Sequence, residues 1–344
     1  MLLRLILLGV AAVVAFAVTA LMRRNARRLG TIQAPNERSS HTTPTPSGGG
    51  IGIVAGGTVA TAALIAPAAW PLGAGAIAAL GVAAIGFVDD RTPLPARARL
   101  TAQLLLVALT IALTVPLDGL ASKVGLPLPA LLVAAIALVV AVYWINLFNF
   151  MDGIDGIAGS QAIFMCCAAA LLMVLGAPDA AGTLPFWMLL TVAAATSGFL
   201  ILNWPPARIF MGDAGSTYLG FMIVLLGLVT IANGAVSLAQ WSILAAAFVT
   251  DATVTLARRL AQRERVFEAH RRHAYQHLSR RWKSHRRVTA SFIAVNLVWL
   301  LPLSWVSAMP GWTWPALALA YLPLIAVAVL AGAGAPEQSL TQPA

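Results

Sequence analysis

Acidic residues are rare in this chain of 344 residues, so the position of each one is informative. The sequence has 12 of them, and five lie beside conspicuously polar neighbours: Asp89, Asp90, Asp152, Asp155 and Asp213. Carboxylates can hold a divalent cation through oxygen or exchange protons with a substrate. Each one alone could equally be a solvated helix end, but the grouping of five in three short segments favours a common site.

The most informative segment runs from Asn146 to Gly156, with the sequence NLFNFMDGIDG. Asn146 and Asn149 are three residues apart and share one face of a helix end. Asp152 and Asp155 repeat that spacing, and the glycines that follow them let backbone approach a ligand. Amide and carboxylate oxygens in this order suit Mg²⁺ or a nucleotide. The alternative without a function is an Asn/Asp/Gly-rich turn between two helices.

Two further acidic segments support the first. The stretch 203–216, NWPPARIFMGDAGS, places Asp213 before a Gly-Ser helix start, where free N–H groups could bind phosphate. An N-cap aspartate would explain Asp213 alone equally well. The adjacent pair Asp89 and Asp90 would raise each other's pKa, which suits proton transfer or a shared cation.

Two other loops carry polar residues. Residues 258–287 are basic and contain His270, His273 and His277 within eight residues. These histidines could be zinc ligands, but no thiolate accompanies them, and Arg with His more naturally faces phosphate. Alternatively, most of the arginines only set the membrane topology, in a basic loop near anionic lipid. The sequence of residues 39–50, SSHTTPTPSGGG, predicts a rigid turn that runs into flexible glycines.

The elements that must position these residues are transmembrane helices. Hydrophobic residues make up 60% of the chain, charged residues 10%, and the mean hydropathy is +0.85. A soluble domain would carry roughly a quarter charged residues. The sequence therefore predicts an all-α polytopic membrane protein with about 11 helices, in one domain over 1–333 and a tail over 334–344. Predicted spans are 2–22, 50–66, 73–88, 100–116, 129–147, 158–176, 185–202, 214–232, 240–257, 288–308 and 313–333.

The basic residues predict the orientation. With the N-terminus outside, only Arg4 and Lys123 of the 22 Lys and Arg residues lie outside, and the other 20 face the cytoplasm. This arrangement also places the five carboxylates at the cytoplasmic interface. The net charge of +10 is therefore read as a topological signal with attraction to lipid phosphate, and no nucleic-acid motif is visible.

Together the segments resemble the polyprenyl-phosphate N-acetylhexosamine-1-phosphate transferases, over roughly residues 30–290. The specific matches are N-x-x-N-x-x-D-G-x-D-G and F-M-G-D-x-G-S, supported by the Asp-Asp pair. The resemblance implies a multi-pass enzyme of the bacterial inner membrane. It would transfer a sugar phosphate from a UDP-N-acetylhexosamine to undecaprenyl phosphate and release UMP, with Mg²⁺ as cofactor and Mn²⁺ as the alternative. A homodimer is left open.

The resemblance also implies residue roles. Asp89, Asp90 and Asp155 are the expected catalytic residues, with Asp89 as the base for the lipid phosphate. Asp213 and Asp152 are the expected metal ligands. The expected substrate-binding residues are Asn149 and Asp152 at the nucleotide, Phe210 stacked on uracil, His270 and His273 at the sugar phosphate, and Arg208 and His41.

Three departures narrow the resemblance. The muramoyl-pentapeptide branch has a Lys where this chain has Pro93, and three consecutive histidines where this chain has the spaced histidines of the basic loop. Both differences point to the branch that initiates O-antigen or other surface glycans, where some members take N-acetyl-fucosamine or N-acetyl-quinovosamine. Ser47 stands where relatives often carry Arg.

A cation-coupled transporter is the alternative from another functional class. Such a protein should place its acidic residues near the bilayer midplane, on interrupted helices. Here the acidic residues are predicted to gather at one interface, which favours the enzyme.

Overall fold

Helices make up nearly all of the computed structural model, which describes residues 1–33, 44–65, 70–125, 127–264 and 270–336. The helices are α1 Leu2–Leu29, α2 Ile51–Leu64, α3 Trp70–Asp89, α4 Ala96–Thr114, α5 Leu117–Val124, α6 Ala130–Phe150, α7 Ile157–Gly176, α8 Leu184–Asn203, α9 Asp213–Ala232, α10 Leu238–Ala261, α11 Ala274–Trp282, α12 His285–Val295, α13 Leu301–Val306 and α14 Thr313–Leu330. A 3₁₀ turn spans Pro178–Gly182, and a π turn, Asn296–Leu300, joins α12 to α13.

The described helices confirm a multi-pass membrane protein, and fewer of them than the eleven predicted have the length and hydropathy of a membrane span. Nine of them are long and apolar enough to cross a bilayer, with α12 to α13 counted as one span, and each coincides with a predicted span. The predicted spans 50–66 and 240–257 correspond to α2 and α10, which are not among the nine. Helix α2 has 14 residues, fewer than the roughly 20 that hydrocarbon requires, and α10 carries several polar residues and Asp251. The count of eleven and the orientation stay predictions.

Helix α9 lies at the centre of the bundle, and nearly its whole length is buried. It packs against α3 and α6, and more lightly against α2, α5 and α8. Two glycines allow the closest approaches: a Cβ at Gly86 would lie 2.5 Å from the backbone oxygen of Asp213, and one at Gly50 would lie 2.4 Å from the Cα of Gly215. Small residues of this kind let helices in a membrane pack backbone to backbone. They hold the start of α9 against both α3 and α2.

Four short elements were not predicted. The strands β1 Ile32–Gln33 and β2 Thr45–Pro46 pair antiparallel, so the fold is not purely helical. Helix α5 lies between α4 and α6, and α11 lies within the predicted basic loop. Each of these elements is polar or shorter than three helical turns, so hydropathy alone does not reveal it.

Candidate active site

The carboxylate of Asp213, at the first residue of α9, is the centre of a polar cluster between the ends of α3, α4, α6 and α9. Its Oδ1 accepts a hydrogen bond of 3.0 Å from Asn149 at the end of α6, and Asn149 also donates to Ser216 Oγ over 2.8 Å. The Asp89 carboxyl group, at the last residue of α3, interacts directly with that of Asp213. Two acidic groups in contact need a proton or a cation between them. The structure therefore brings Asp89, Asn149 and Asp213 together, as the sequence predicts.

Arg99 is the cation beside this pair, and the sequence analysis did not single it out. Its guanidinium forms an ion pair with Asp89 and lies 3.7 Å from Asp213 Oδ2. Asp89 also accepts a hydrogen bond of 2.6 Å from the backbone of Leu94. A narrow cavity of about 20 Å³, roughly the space of one water molecule, is enclosed by these side chains with Gln103 and Asn146. Arg99 lies in the first turn of α4, where it was interpreted only as a charge that sets the topology.

Asp90 binds the start of α9 instead of facing the cluster. Its two carboxylate oxygens accept hydrogen bonds from the backbone N–H groups of Asp213, at 2.8 Å, and Ala214, at 3.2 Å. Two N–H groups that the sequence analysis left free for phosphate are thus bonded to a carboxylate. Desolvation raises the pKa of Asp90, an effect that these two hydrogen bonds oppose. The contacts give Asp90 a positioning role at the helix start, and its catalytic role stays a prediction.

Asp152 lies in the turn after α6 with its carboxylate among other negative charges. Among the residues that the structure describes, none donates a hydrogen bond to this carboxylate. Burial raises its pKa well above the ordinary value, and the charges of Asp213, Asp90 and Asp155 raise it further. A bound cation would remove this repulsion, so the environment of Asp152 fits its predicted role at a metal.

Asp155 fastens the same turn to its neighbours. Its Oδ2 accepts a hydrogen bond of 2.9 Å from the backbone of Ala207, and its Oδ1 lies 3.1 Å from His285 Nδ1 at the start of α12. Its backbone oxygen accepts from Thr289 over 2.8 Å. These contacts position the turn between α6 and α7, and the catalytic role of Asp155 stays a prediction.

The loop over 204–212 lies against the segment that precedes α2. The backbone N–H of Phe210 donates to Pro46 over 2.8 Å, and Gly49 donates back to the Phe210 oxygen over 2.9 Å. Arg208 in the same loop is exposed, with its own backbone N–H bonded to Leu202 over 2.8 Å. Backbone hydrogen bonds therefore fix the position of this loop. The substrate contacts of Phe210 and Arg208 stay predictions. His41 lies outside the described residues.

Asp251 binds the histidine loop, which is the part of the basic loop from His270 to His277, and no sequence motif marks this aspartate. Its carboxylate is 4% exposed and accepts hydrogen bonds from the first two backbone N–H groups of α11, Ala274 at 2.8 Å and Tyr275 at 2.9 Å. Its Oδ1 also lies 3.3 Å from Nδ1 of the buried His273. A carboxylate at a helix N-terminus satisfies free N–H groups and favours the helix dipole. Asp251 thereby joins α10 to α11.

His270 stacks on His273 with 5.0 Å between ring centroids, so the two predicted sugar-phosphate contacts lie side by side. Burial lowers the pKa of His270 to about 3, and the nearby positive charges of Arg259 and Arg272 lower it further. Those two arginines pair with Glu264. His270 is therefore neutral at physiological pH, and the arginines supply the positive charge of this loop.

Helix α11 packs directly on the turn that carries Asp152. The Tyr275 hydroxyl donates a hydrogen bond of 3.0 Å to the backbone oxygen of Phe150. Gly153 is required at this contact because a Cβ there would lie 2.1 Å from the Tyr275 oxygen. The start of α11 and the turn that carries Asp152 are thus packed directly against each other.

The residues that could hold a metal are few. No group of three or more His, Cys, Asp or Glu side chains in the described parts of the chain is arranged to hold one. Mg²⁺, however, is usually bound by one or two carboxylates, with waters and substrate phosphates completing its shell. Asp213 and Asp152, with the amide oxygen of Asn149, fit that smaller requirement.

Comparison with known proteins confirms the family resemblance. Residues 72–231 match the family described as Glycosyl transferase family 4. The chain is 30% identical to a decaprenyl-phosphate N-acetylglucosaminephosphotransferase of Mycobacterium tuberculosis, over 81% of this chain and 76% of the relative. It is 24% identical to a probable undecaprenyl-phosphate N-acetylglucosaminyl 1-phosphate transferase of Bacillus subtilis, over 91% and 87%. A phospho-N-acetylmuramoyl-pentapeptide-transferase of Moorella thermoacetica is 34% identical over 54% and 61%.

Proposed function

The chain belongs to glycosyl transferase family 4, and we propose that it transfers N-acetylhexosamine-1-phosphate from a UDP-sugar to undecaprenyl phosphate. UMP is the second product, and the lipid-linked sugar starts an O-antigen or another surface polysaccharide. The names of the Mycobacterium tuberculosis and Bacillus subtilis relatives give decaprenyl phosphate and undecaprenyl phosphate, which supports a polyprenyl phosphate acceptor. The enzyme works in the inner membrane of a bacterium.

One observation carries the proposal: Asp89, Asn149 and Asp213 come from three helices and meet at one end of the bundle, beside Arg99. A transporter would need its acidic residues near the bilayer midplane. An enzyme that joins a membrane lipid to a water-soluble donor needs them at an interface, where both substrates can reach them. The arrangement of these helix ends favours the enzyme.

The reaction is a displacement at phosphorus. An oxygen of the lipid phosphate forms a bond to the β-phosphorus of the UDP-sugar, while the bond from that phosphorus to the bridging oxygen breaks and UMP leaves with it. Asp89 keeps the attacking phosphate deprotonated. Arg99 holds Asp89 in its anionic form through their ion pair. Arginines near His270 neutralise the diphosphate of the donor.

A divalent cation is expected at Asp213 and Asp152, and when bound it would offset the repulsion between the two phosphate groups. The support is the environment of Asp152, whose carboxylate is crowded by negative charges and lacks a hydrogen-bond donor among the described residues. Asn149 orients Asp213 through their 3.0 Å hydrogen bond.

An apolar cavity of about 500 Å³ supports a lipid acceptor. It lies between α5, α6, α9 and α10, with Trp241 and Tyr321 in its wall. Its wall reaches Tyr143 and Trp144 on α6, about one and a half turns before Asn149. A chain of isoprene units could lie in this cavity while its phosphate reaches the carboxylates.

Detergent-solubilised protein tests the proposal. With undecaprenyl phosphate and UDP-N-acetylglucosamine, we expect UMP release that EDTA abolishes and added Mg²⁺ restores. A transporter would need a sealed vesicle, so the absence of UMP release in detergent, with transport in proteoliposomes, would contradict the proposal. The exposed Asp118→Asn variant serves as a control with normal turnover.

The sugar is tested with a panel of donors. UDP-N-acetylglucosamine, UDP-N-acetylfucosamine and UDP-N-acetylquinovosamine are compared by kcat/KM under the same conditions. We expect one of these donors to be preferred and UDP-N-acetylmuramoyl-pentapeptide to be inactive. Turnover of the pentapeptide donor would instead assign the chain to peptidoglycan synthesis.

A further inference from the structure

Helix α14 is followed by a turn made only of alanine and glycine, residues 331–335, which is called the Gly334 turn below. Gly332 and Gly334 have φ angles of +90° and +71°, in the left-handed region that favours glycine. The backbone N–H of Ala333 donates to the oxygen of Ala328 over 2.9 Å, a bond that closes the end of the helix. These features give the turn a defined shape.

The Gly334 turn contacts the histidine loop in two ways. The backbone N–H of Gly334 donates a hydrogen bond of 2.7 Å to the backbone oxygen of Arg272, which lies inside that loop. Ala274, the first residue of α11, is buried with Ala328 and Ala333 in one small apolar cluster. The turn is therefore joined to the loop by a hydrogen bond and by side-chain packing.

One face of α10 holds both the loop and the turn. Asp251, Thr255 and Arg258 lie four and three residues apart, so they share this face. Asp251 binds the start of α11, as described above, and the Arg258 guanidinium donates to the backbone oxygen of Ala333 over 3.3 Å. A Cβ at Gly334 would lie 2.8 Å from the Arg258 Cβ and 2.9 Å from the backbone oxygen of Thr255. The turn thus rests on α10 at a point where only glycine fits.

The same residue makes the contact with α10 and the bond to the loop. A larger side chain at Gly334 would move the turn away from α10, because neither the Cβ of Arg258 nor a helix backbone oxygen can easily give way. That movement would break the bond to Arg272. Asp251 would still hold the N–H groups of Ala274 and Tyr275, so the loss would fall on the part of the loop before α11.

We propose that Gly334 is a positioning residue for the sugar-nucleotide donor. It acts through Arg272, and it holds His270 and His273 where the proposed function places the sugar phosphate. Arg272 also supplies part of the positive charge near the donor diphosphate, through a side chain that pairs with Glu264. The inference rests on the proposed function, since the histidine loop binds a donor only if the chain is a transferase.

This role predicts an effect on donor affinity and not on the chemical step. The loop binds the donor, whereas the carboxylate cluster lies on α3 and α9, which the turn does not hold. A change that removes binding common to the ground state and the transition state raises KM and leaves kcat unchanged. A general loss of folding would instead reduce the amount of active enzyme and hence the apparent kcat.

Gly334→Ala tests the proposal, with Gly311→Ala as the matched control. Gly311 also has a left-handed backbone, with φ +77°, but a Cβ there would meet no atom within 4 Å. Both variants carry the backbone strain, and only Gly334→Ala carries the overlap with α10. With UDP-N-acetylglucosamine and undecaprenyl phosphate in detergent, Gly334→Ala should raise the donor KM about three- to tenfold, the range that one lost hydrogen bond gives, and leave kcat nearly unchanged. Gly311→Ala should leave both values at those of the wild type.

Hydrogen exchange gives a readout that does not depend on activity. In Gly334→Ala, amides over 331–335 and 270–273 should exchange faster than in the wild type. Those over 274–282 should keep most of their protection, since Asp251 still caps α11. Arg258→Ala removes only the bond to Ala333, so it should change both measurements in the same direction and by less, even if Gly334→Ala does not fold.

Three results would overturn the proposal. They are unchanged exchange over 270–273 in both variants, a fall in kcat with an unchanged donor KM, and an equal rise of KM in Gly311→Ala. A wild-type protein that releases no UMP would contradict the proposed function and with it the role of the donor. An active wild type with an unaltered KM in Gly334→Ala would contradict only this inference.

Discussion

Replacing Asp251 with alanine should release α11 while leaving the rest of the bundle folded. The Asp251 side chain is almost completely buried and accepts hydrogen bonds from the first two N–H groups of α11. Truncation leaves both donors without this partner. A lost N-cap costs about 0.5–2 kcal/mol, and a buried unsatisfied donor about 1–3 kcal/mol. We therefore expect α11 to lose about 2–4 kcal/mol of local stability.

Hydrogen exchange measures this loss directly. A change of 2–4 kcal/mol corresponds to an opening of α11 that is about 30-fold to several hundred-fold more frequent. Amides over 274–282 should exchange faster by that factor, while those of α9 keep their protection. Because His273 contacts Asp251, the KM for the sugar donor should rise as well.

Two variants make the experiment specific. Asp251→Asn retains one acceptor oxygen and should fall between the wild type and Asp251→Ala. Asp179→Ala removes an exposed aspartate in the turn Pro178–Gly182 and should change nothing. Wild-type protection of α11 in Asp251→Ala would refute the role assigned to this carboxylate.

Three further predictions concern the site. Arg99→Ala should lower kcat/KM for UMP release about 5- to 30-fold. The Arg99 side chain is about one-third exposed, so its ion pair with Asp89 is worth about 1–2 kcal/mol. The control Arg97→Ala should stay within twofold of wild type. Gly153→Ala should lower both unfolding temperature and turnover, since the new Cβ would overlap the Tyr275 hydroxyl; equal unfolding temperatures would contradict the packing. The folded-state pKa of His270, about 3, lies below the unfolded value of 6.5, so stability from this group is present above pH 6.5 and is lost as pH falls towards 3. His270→Gln should therefore lose less stability than wild type between pH 7 and 5 in thermal melts, and parallel losses would disprove the shift.

The membrane-spanning helices could be predicted from the sequence because burial in lipid demands long apolar runs. The same argument predicts a span at α2, whose 14 residues are fewer than hydrocarbon requires, and it misses α11, which is polar and depends on Asp251 from another helix. Hydropathy indicates whether a segment lies in lipid or in water. It does not indicate which segments pack against each other.

Only part of the site could be predicted, because sequence motifs do not show which helices pack against each other. Asn149 and Asp213 lie in motifs with specific spacing, and the structure joins them by a 3.0 Å hydrogen bond. Arg99 was interpreted only as a charge that sets the membrane topology. Its ion pair with Asp89 depends on the packing of α4 against α3, which the sequence does not show. Asp90 shows the reverse case, because a residue expected to do chemistry also binds the start of α9, a contact that its motif does not reveal.

The central claim is that Asp213 and Asp152 hold one divalent cation on which sugar-phosphate transfer depends. Mn²⁺ binding, followed by electron paramagnetic resonance alongside UMP release, tests it most directly in the wild type and in Asp213→Asn and Asp152→Asn. We expect one bound Mn²⁺ per wild-type chain, and in each variant weaker binding with no UMP release despite normal membrane insertion. Wild-type Mn²⁺ affinity and near-wild-type turnover in both variants would contradict the claim.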